Sequence, residues 1–135
     1  KGGYNNFGAN KNFTNVSTKA RILKKLNKDN EYKLIIEELQ SIDCSVNEAY
    51  DFSRYLLESN QFKVAANFLK PIIKKFPKSW FIKLNGGIAN YFSGEKKKGI
   101  KHVMETIKMA SESYSKSLNN IVDQMKKGTY GTKKQ

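Results

Sequence analysis

The 135-residue sequence holds one cysteine, Cys44, two prolines, Pro71 and Pro77, and one histidine, His102. A lone cysteine forms no internal disulfide and no thiolate cage for a metal, and its expected role is that of a small buried hydrophobe. With so few prolines the chain is open to long helices, since little in it interrupts a helical hydrogen-bond ladder. Any Ser–His or Cys–His machinery would have to run through His102, which lies in a lysine-rich stretch and reads as a surface or half-packed side chain. Glu37 and Glu38 are adjacent, so on a helix they diverge by about 100° and make no carboxylate pair. The sequence has no phosphate-cradling glycine loop and no zinc or calcium ligand set. No run approaches the ~20 apolar residues of a membrane-spanning helix. The expectation is a non-catalytic chain with no cofactor, no metal and no small-molecule substrate. No signal-peptide pattern is legible and localisation stays open.

Arginine is equally scarce, with Arg21 and Arg54 the only two among 25 basic residues, set against 12 acidic ones for a net charge of +13. Such an excess favours an acidic partner: nucleic acid, an anionic membrane surface or an acidic protein. Arginine is the better residue for bidentate phosphate and base contacts, so a lysine surface reads as long-range attraction rather than sequence readout. A basic face left to solvent is the competing reading. The charge is uneven. Residues 31–58 carry two basic and seven acidic residues, whereas residues 63–108 carry eleven lysines and two glutamates. Residues 1–28 carry seven basic residues and no acid. The expected basic patch is Lys96, Lys97, Lys98 and Lys101, close to Lys63 and Lys70 once helices stack.

What the sequence has in quantity is helical patterning, written twice in similar words: NEYKLIIEEL at residues 30–39 and NQFKVAANFL at residues 60–69. Asn30-Glu31-Tyr32 and Asn60-Gln61-Phe62 each follow one apolar-striped segment and open another, and Ser93-Gly94-Glu95 opens a third without the aromatic. The segments before these turns are residues 18–28, with Ile22, Leu23 and Leu26; 46–59, with Ala49, Phe52, Tyr55 and Leu56; and 79–92, with Phe81, Leu84, Ile88 and Phe92. Ser45 and Glu48 form a capping-box signature for the middle one. The segments after the turns are residues 31–42, with Leu34, Ile35, Leu39 and Ile42; 61–75, carrying Pro71 and ended by Pro77; and a long run from Glu95 to Met125 weakened by SESYSKS at 111–117. Asn85-Gly86 on its own signals a hairpin turn, but apolar spacing on both sides favours a helix, with Gly86 and Gly87 admitting a close neighbour. The fold expected is all-α: a stack of about three antiparallel helix pairs, the last ending in a long C-terminal helix, since one pair cannot bury its apolar face alone. A plain helical bundle is the alternative.

The pattern resembles the tetratricopeptide repeat. Residues 46–79 supply Ala49, Phe52-Ser53, Leu56, Asn60, Ala65, Leu69 and Pro77 at its signature places; residues 80–113 supply Gly86-Gly87, Gly94, Gly99 and Val103; residues 16–45 supply Ile22-Leu23, Leu26, Asn30, Ile35 and Leu39. The consensus tryptophan is absent from every unit, Ile35 and Gly99 stand where alanine is usual, and Leu23 stands where a small residue is usual. The resemblance implies a protein-interaction scaffold or adaptor, a small subunit of a larger assembly, that binds a protein partner on a concave face. Carried over residue by residue, that face is Arg21, Lys24 and Lys28, then Asn47, Tyr50, Asp51 and Arg54, then Phe81, Leu84, Asn85, Ile88 and Tyr91. The family's carboxylate clamp is not reproduced, because Ala20, Asp51 and Phe81 occupy its places. The alternative function, favoured by the lysines, is association with RNA or a ribonucleoprotein particle.

The ends fall outside the repeat. Residues 1–16 read as an extended N-terminal arm carrying Tyr4, Phe7 and Phe13; residues 17–127 as the repeat domain; residues 128–135 as a flexible basic tail. Asn12-Phe13-Thr14 and Asn15-Val16-Ser17 match the glycosylation acceptor pattern, in a segment so rich in asparagine that chance explains them.

Overall fold

The structure, a computed structural model, describes residues 12–131, and among these every regular element is helical. Seven α-helices follow one another: α1 Phe13–Lys25, α2 Asp29–Gln40, α3 Val46–Glu58, α4 Phe62–Lys75, α5 Trp80–Phe92, α6 Lys96–Met109 and α7 Ser115–Lys127, with a 3-10 turn at Glu112–Tyr114. The all-α expectation holds. The chain divides into two compact units, one up to Phe52 and one from Ser53 onward, and the boundary falls inside α3.

A single turn closes α1, α3 and α5, and it recurs after α7 at Gly128, φ 76°. After α1, Asn27 takes the left-handed conformation at φ 59°, after α3 Asn60 does so at φ 61°, and after α5 Gly94 does so at φ 105°. At each, the following residue donates its backbone N–H back across the helix end: Lys28 to the Leu23 carbonyl, Gln61 to Leu56 and Glu95 to Asn90, at 3.0, 2.8 and 2.8 Å. These are Schellman caps, which satisfy carbonyls the helix leaves open and which need a residue tolerant of positive φ. Asn27 and Asn60 lie 33 residues apart, and Asn60 and Gly94 lie 34 apart. The first turn is therefore three residues earlier than Asn30, and the phrase at 30–39 is offset from its counterpart.

With the turns aligned, the packing positions align too. Seven residues before each turn stands a small residue, Ala20, Ser53 and Gly87, and five after it stand Tyr32, Ala65 and Gly99, all buried. The small place expected at Leu23 is held by Ala20, and the alanine place expected at Ile35 is held by Tyr32. The third pair shows what such small residues permit. A Cβ on Gly99 would lie 2.5 Å from the Gly87 carbonyl oxygen and 2.7 Å from the Tyr91 nitrogen, so α5 and α6 touch backbone to backbone there.

In the first unit α1 and α2 form a hairpin. Asn12 caps α1, its side chain accepting the Asn15 N–H at 2.8 Å, so the helix opens at Phe13 rather than after residue 16. Its buried stripe is Phe13, Val16, Ala20 and Leu23, while Ile22 and Leu26 are exposed. Phe13 meets Phe52 edge to face at 6.1 Å. Two residues of the acceptor patterns thereby have structural roles: Asn12 is the cap and Ser17 is buried. The rest of the expected arm, residues 1–11, lies outside the described residues. Cys44 is buried, and the Ser45–Glu48 capping box forms, with bonds of 2.9 and 3.1 Å. Leu34, expected inside, is 66% exposed.

In the second unit α4 packs on α5, α5 on α6 and α6 on α7. Pro71 lies within α4, which continues to Lys75. The run expected as one long C-terminal helix is two, because Ala110 and Ser111 are extended before the 3-10 turn. That break lets α7 return, and Leu118, Val122 and Met125 bury one face at helical spacing. Tyr91, Val103, Val122 and Met125 form a core with Leu84, Ile88, Ile100, Ile107, Ile121 and Tyr130 around it. Residues 128–131, expected as tail, are docked: Tyr130 stacks on Phe92 at 5.6 Å and meets Tyr91 at 6.1 Å. Residues 132–135 lie outside the described residues.

Candidate functional site

A cleft of about 440 Å³ lies in the second unit, bordered by α4, α5 and α6. Each helix brings a stripe to it. On α4, Lys63, Asn67, Lys70 and Lys74 recur at i, i+4, i+7 and i+11, one face of a helix. On α5 the stripe is Gly86, Asn90 and Ser93, and on α6 it is Lys98 and His102. Gly86 leaves room at the floor, since a Cβ there would come 2.6 Å from the Ile73 Cδ1. Glu95 is the one acid in the lining, against four lysines, so the cleft attracts anions.

The local sequence works against helix stability at this place. The first turn of α6 carries Lys96, Lys97 and Lys98 and no acid. Cations at a helix N-terminus oppose the macrodipole, at a cost of about 0.3–1 kcal/mol each. Such local conflicts gather at functional surfaces.

His102 sits at the cleft wall with its Nδ1 buried, without a hydrogen-bond partner and 3.8 Å from Glu105 Oε1. Burial, and then the nearby Lys83 ammonium, hold the imidazole below its ordinary pKa, outweighing the upward pull of Glu105. Glu105 is itself tied to Lys83 at 2.9 Å, and that bond draws its carboxyl below the usual range. The other polar side chains on the cleft are the four lysines, Asn67, Asn90, Ser93 and Glu95. Among the described residues no three of His, Cys, Asp and Glu gather as a metal site requires, and no helix is long and apolar enough to cross a membrane.

The expected basic patch divides. Lys63, Lys70 and Lys98 line the cleft, while Lys97 and Lys101 line a separate groove of about 360 Å³ with Ile100, Met104, Lys108 and Lys126. Lys96 lies over the Tyr91 ring at 5.5 Å. Lys74, Asn67, Asn90 and His102 belong to the cleft and were missed. The i, i+4, i+7, i+11 spacing from Lys63 to Lys74 was the available signal.

The expected concave face fares unevenly. In the first unit Lys28 is exposed and pairs with Glu31 at 3.9 Å, Lys24 lies over the Tyr32 ring at 5.1 Å and Arg21 over the Phe52 ring at 5.9 Å. Asn47 and Asp51 are exposed and Tyr50 is half-buried. In the second unit Arg54 is exposed and bonds Glu58 at 2.6 Å. Asn85 and Tyr91 are buried, at 7% and 4% exposure. Asn85 donates to the Ser53 hydroxyl at 2.9 Å, and the Tyr91 hydroxyl donates to the Met125 carbonyl at 3.3 Å. Leu84 and Ile88 pack against the core that α7 completes, and Phe81 is half-buried against Trp80. The apolar third face is covered by the chain's own C-terminal helix.

No family model, no curated protein and no solved structure matches this chain.

Proposed function

We propose that this chain is a non-catalytic interaction scaffold of tetratricopeptide-like build, a subunit of a larger assembly, which takes an acidic segment of a protein partner into the α4–α5–α6 cleft. The observation that carries the reading is the convergence of Lys63, Lys70, Lys74 and Lys98 on one cleft floored by Gly86. The recurrence of the Schellman turn at 33 and 34 residues supports the family kinship, since tetratricopeptide units run about 34 residues. Amide and hydroxyl groups from Asn67, Asn90 and Ser93 add hydrogen-bonding partners for a peptide backbone laid along the lysines.

RNA is the competing ligand for a lysine surface. Binding single strands draws on aromatic platforms worth about 1–3 kcal/mol per stacked base, and the cleft lining holds no Phe, Tyr or Trp, its one ring being the half-buried His102 imidazole. The test is fluorescence anisotropy with a labelled glutamate-rich peptide and with a labelled single-stranded RNA, at two salt concentrations. The peptide is expected to bind in a salt-dependent way, and Lys70→Glu with Lys98→Glu to weaken it about tenfold, a loss of roughly 1.4 kcal/mol. RNA binding that is tighter than the peptide's and is abolished by the same pair of substitutions overturns the protein-partner reading.

A further inference from the structure

The second groove has a different chemistry from the cleft. It lies along α6, where Met104 is 45% exposed and has Ile100 four residues before it, Lys101 three before it and Lys108 four after it. Residues at those spacings are neighbours on a helix surface. Lys97 and, from α7, Lys126 complete the rim. The groove is thus an apolar floor ringed by four ammonium groups. Its one carboxylate, Glu105, is held by Lys83 at 2.9 Å. Methionine suits such a floor, because its flexible thioether adapts to the side chain it receives.

The chain carries the opposite shape elsewhere. On α2, in the first unit, Leu34 is at 66% the most exposed large hydrophobic among the described residues. Its surface neighbours at i−3, i+3 and i+4 are Glu31, Glu37 and Glu38. An apolar knob ringed by three carboxylates therefore matches an apolar groove ringed by four lysines. A chain at +13 repels its copies at long range, so association between copies requires a local reversal of sign, and α2 supplies one.

We propose that the chain associates with a second copy of itself, head to tail, by seating Leu34 of one molecule on the Ile100–Met104 floor of the next, with the α2 glutamates against Lys97, Lys101, Lys108 and Lys126. The contact uses two different surfaces, so it is heterologous, and a pair of molecules keeps one free knob and one free groove. It leaves the α4–α5–α6 cleft open.

The test is analytical ultracentrifugation of the full chain across a concentration series. The wild type is expected to rise above its monomer mass of 15.4 kDa as concentration increases. Leu34→Glu destroys the knob and Met104→Glu destroys the groove, each at a solvent-exposed position, with circular dichroism to verify that helicity is kept. Each variant alone is expected to stay monomeric. Mixed in equal amounts, they are expected to form a one-to-one dimer and nothing larger, since only one intact knob and one intact groove remain between them. A wild type that stays monomeric throughout, a single variant that associates like the wild type, or a mixture that stays monomeric overturns the proposal. Binding of the glutamate-rich peptide by Leu34→Glu, measured alongside, reads the cleft independently of this contact.

Discussion

Replacing Gly99 with alanine tests the backbone-to-backbone approach of α5 and α6. The added Cβ would sit 2.5 Å from the Gly87 carbonyl oxygen, 2.7 Å from the Tyr91 nitrogen and 3.0 Å from the Tyr91 Cα. All three are backbone atoms on α5, so no rotamer change relieves the overlap and the two helices must separate. Overpacking of this kind costs about 1–3 kcal/mol, and with three backbone contacts the upper end applies. Alanine returns about 1 kcal/mol through its better helix propensity. The net expectation is a loss of about 2 kcal/mol, or a fall in melting temperature of roughly 8 °C for a domain of this size. Gly86→Ala is the control. It gains the same propensity, but its Cβ would meet the end of the Ile73 side chain at 2.6 Å, and that side chain can rotate away. It should leave stability within about 0.5 kcal/mol of the wild type or raise it. The assay is urea unfolding followed by the fluorescence of Trp80, the only tryptophan, which packs on Tyr114 at 4.8 Å within the same unit. If Gly99→Ala proves as stable as Gly86→Ala, α5 and α6 do not meet at these glycines and the assigned packing fails.

Ser45→Ala removes one half of the α3 capping box and should cost about 1 kcal/mol by chemical denaturation. The Ser45 backbone N–H, followed by the Thr14 hydroxyl at 2.7 Å, draws the Glu48 carboxyl below its ordinary value of 4.5. Glu48 therefore contributes stability that is present above pH 4.5 and drains as pH falls through its lower folded value, a dependence that Glu48→Gln should flatten in acid denaturation. For His102, NMR titration should give a pKa below the ordinary 6.5, since burial and Lys83 disfavour the imidazolium. The unfolded chain then binds the proton more readily, so stability is full above pH 6.5 and declines as pH falls toward the folded pKa; His102→Gln should remove that decline.

The helices themselves were legible because their apolar spacing is strong. The register of the first pair was not, and the reason lies in what each end of a helix demands. Helix starts accept many residues, so the resemblance between Asn30-Glu31-Tyr32 and Asn60-Gln61-Phe62 carried little positional information. The residue that closes a Schellman turn must take positive φ, which asparagine and glycine tolerate and most residues do not. Counting back 34 residues from Gly94 reaches Asn60 and a further 33 reaches Asn27, and the buried small residues then fall into line as Ala20, Ser53 and Gly87. Leu34, expected inside, is exposed, and so are Ile22 and Leu26, which were expected to share a side with the buried Leu23. The spacing of apolar residues identifies a face only after the helix ends are set.

The lysine patch fails and succeeds for a related reason. Four lysines between residues 96 and 101 look like one cluster in the sequence, but successive residues of a helix point about 100° apart, so a run of charge wraps the helix and cannot form one face. Lys98 faces the cleft, Lys97 and Lys101 face the opposite groove, and Lys96 lies over Tyr91. The spaced lysines of α4, less conspicuous in the sequence, do share a face and supply most of the cleft's charge. What joins them to Lys98 is the tight seam of Gly87 and Gly99, which draws α6 onto α5, together with the missing side chain of Gly86 at the floor. Glycines that looked costly in the middle of a helix thus determine both how close the helices come and how much room the cleft floor leaves. Filling Gly86 should therefore affect the cleft more than the fold, whereas filling Gly99 should do the reverse.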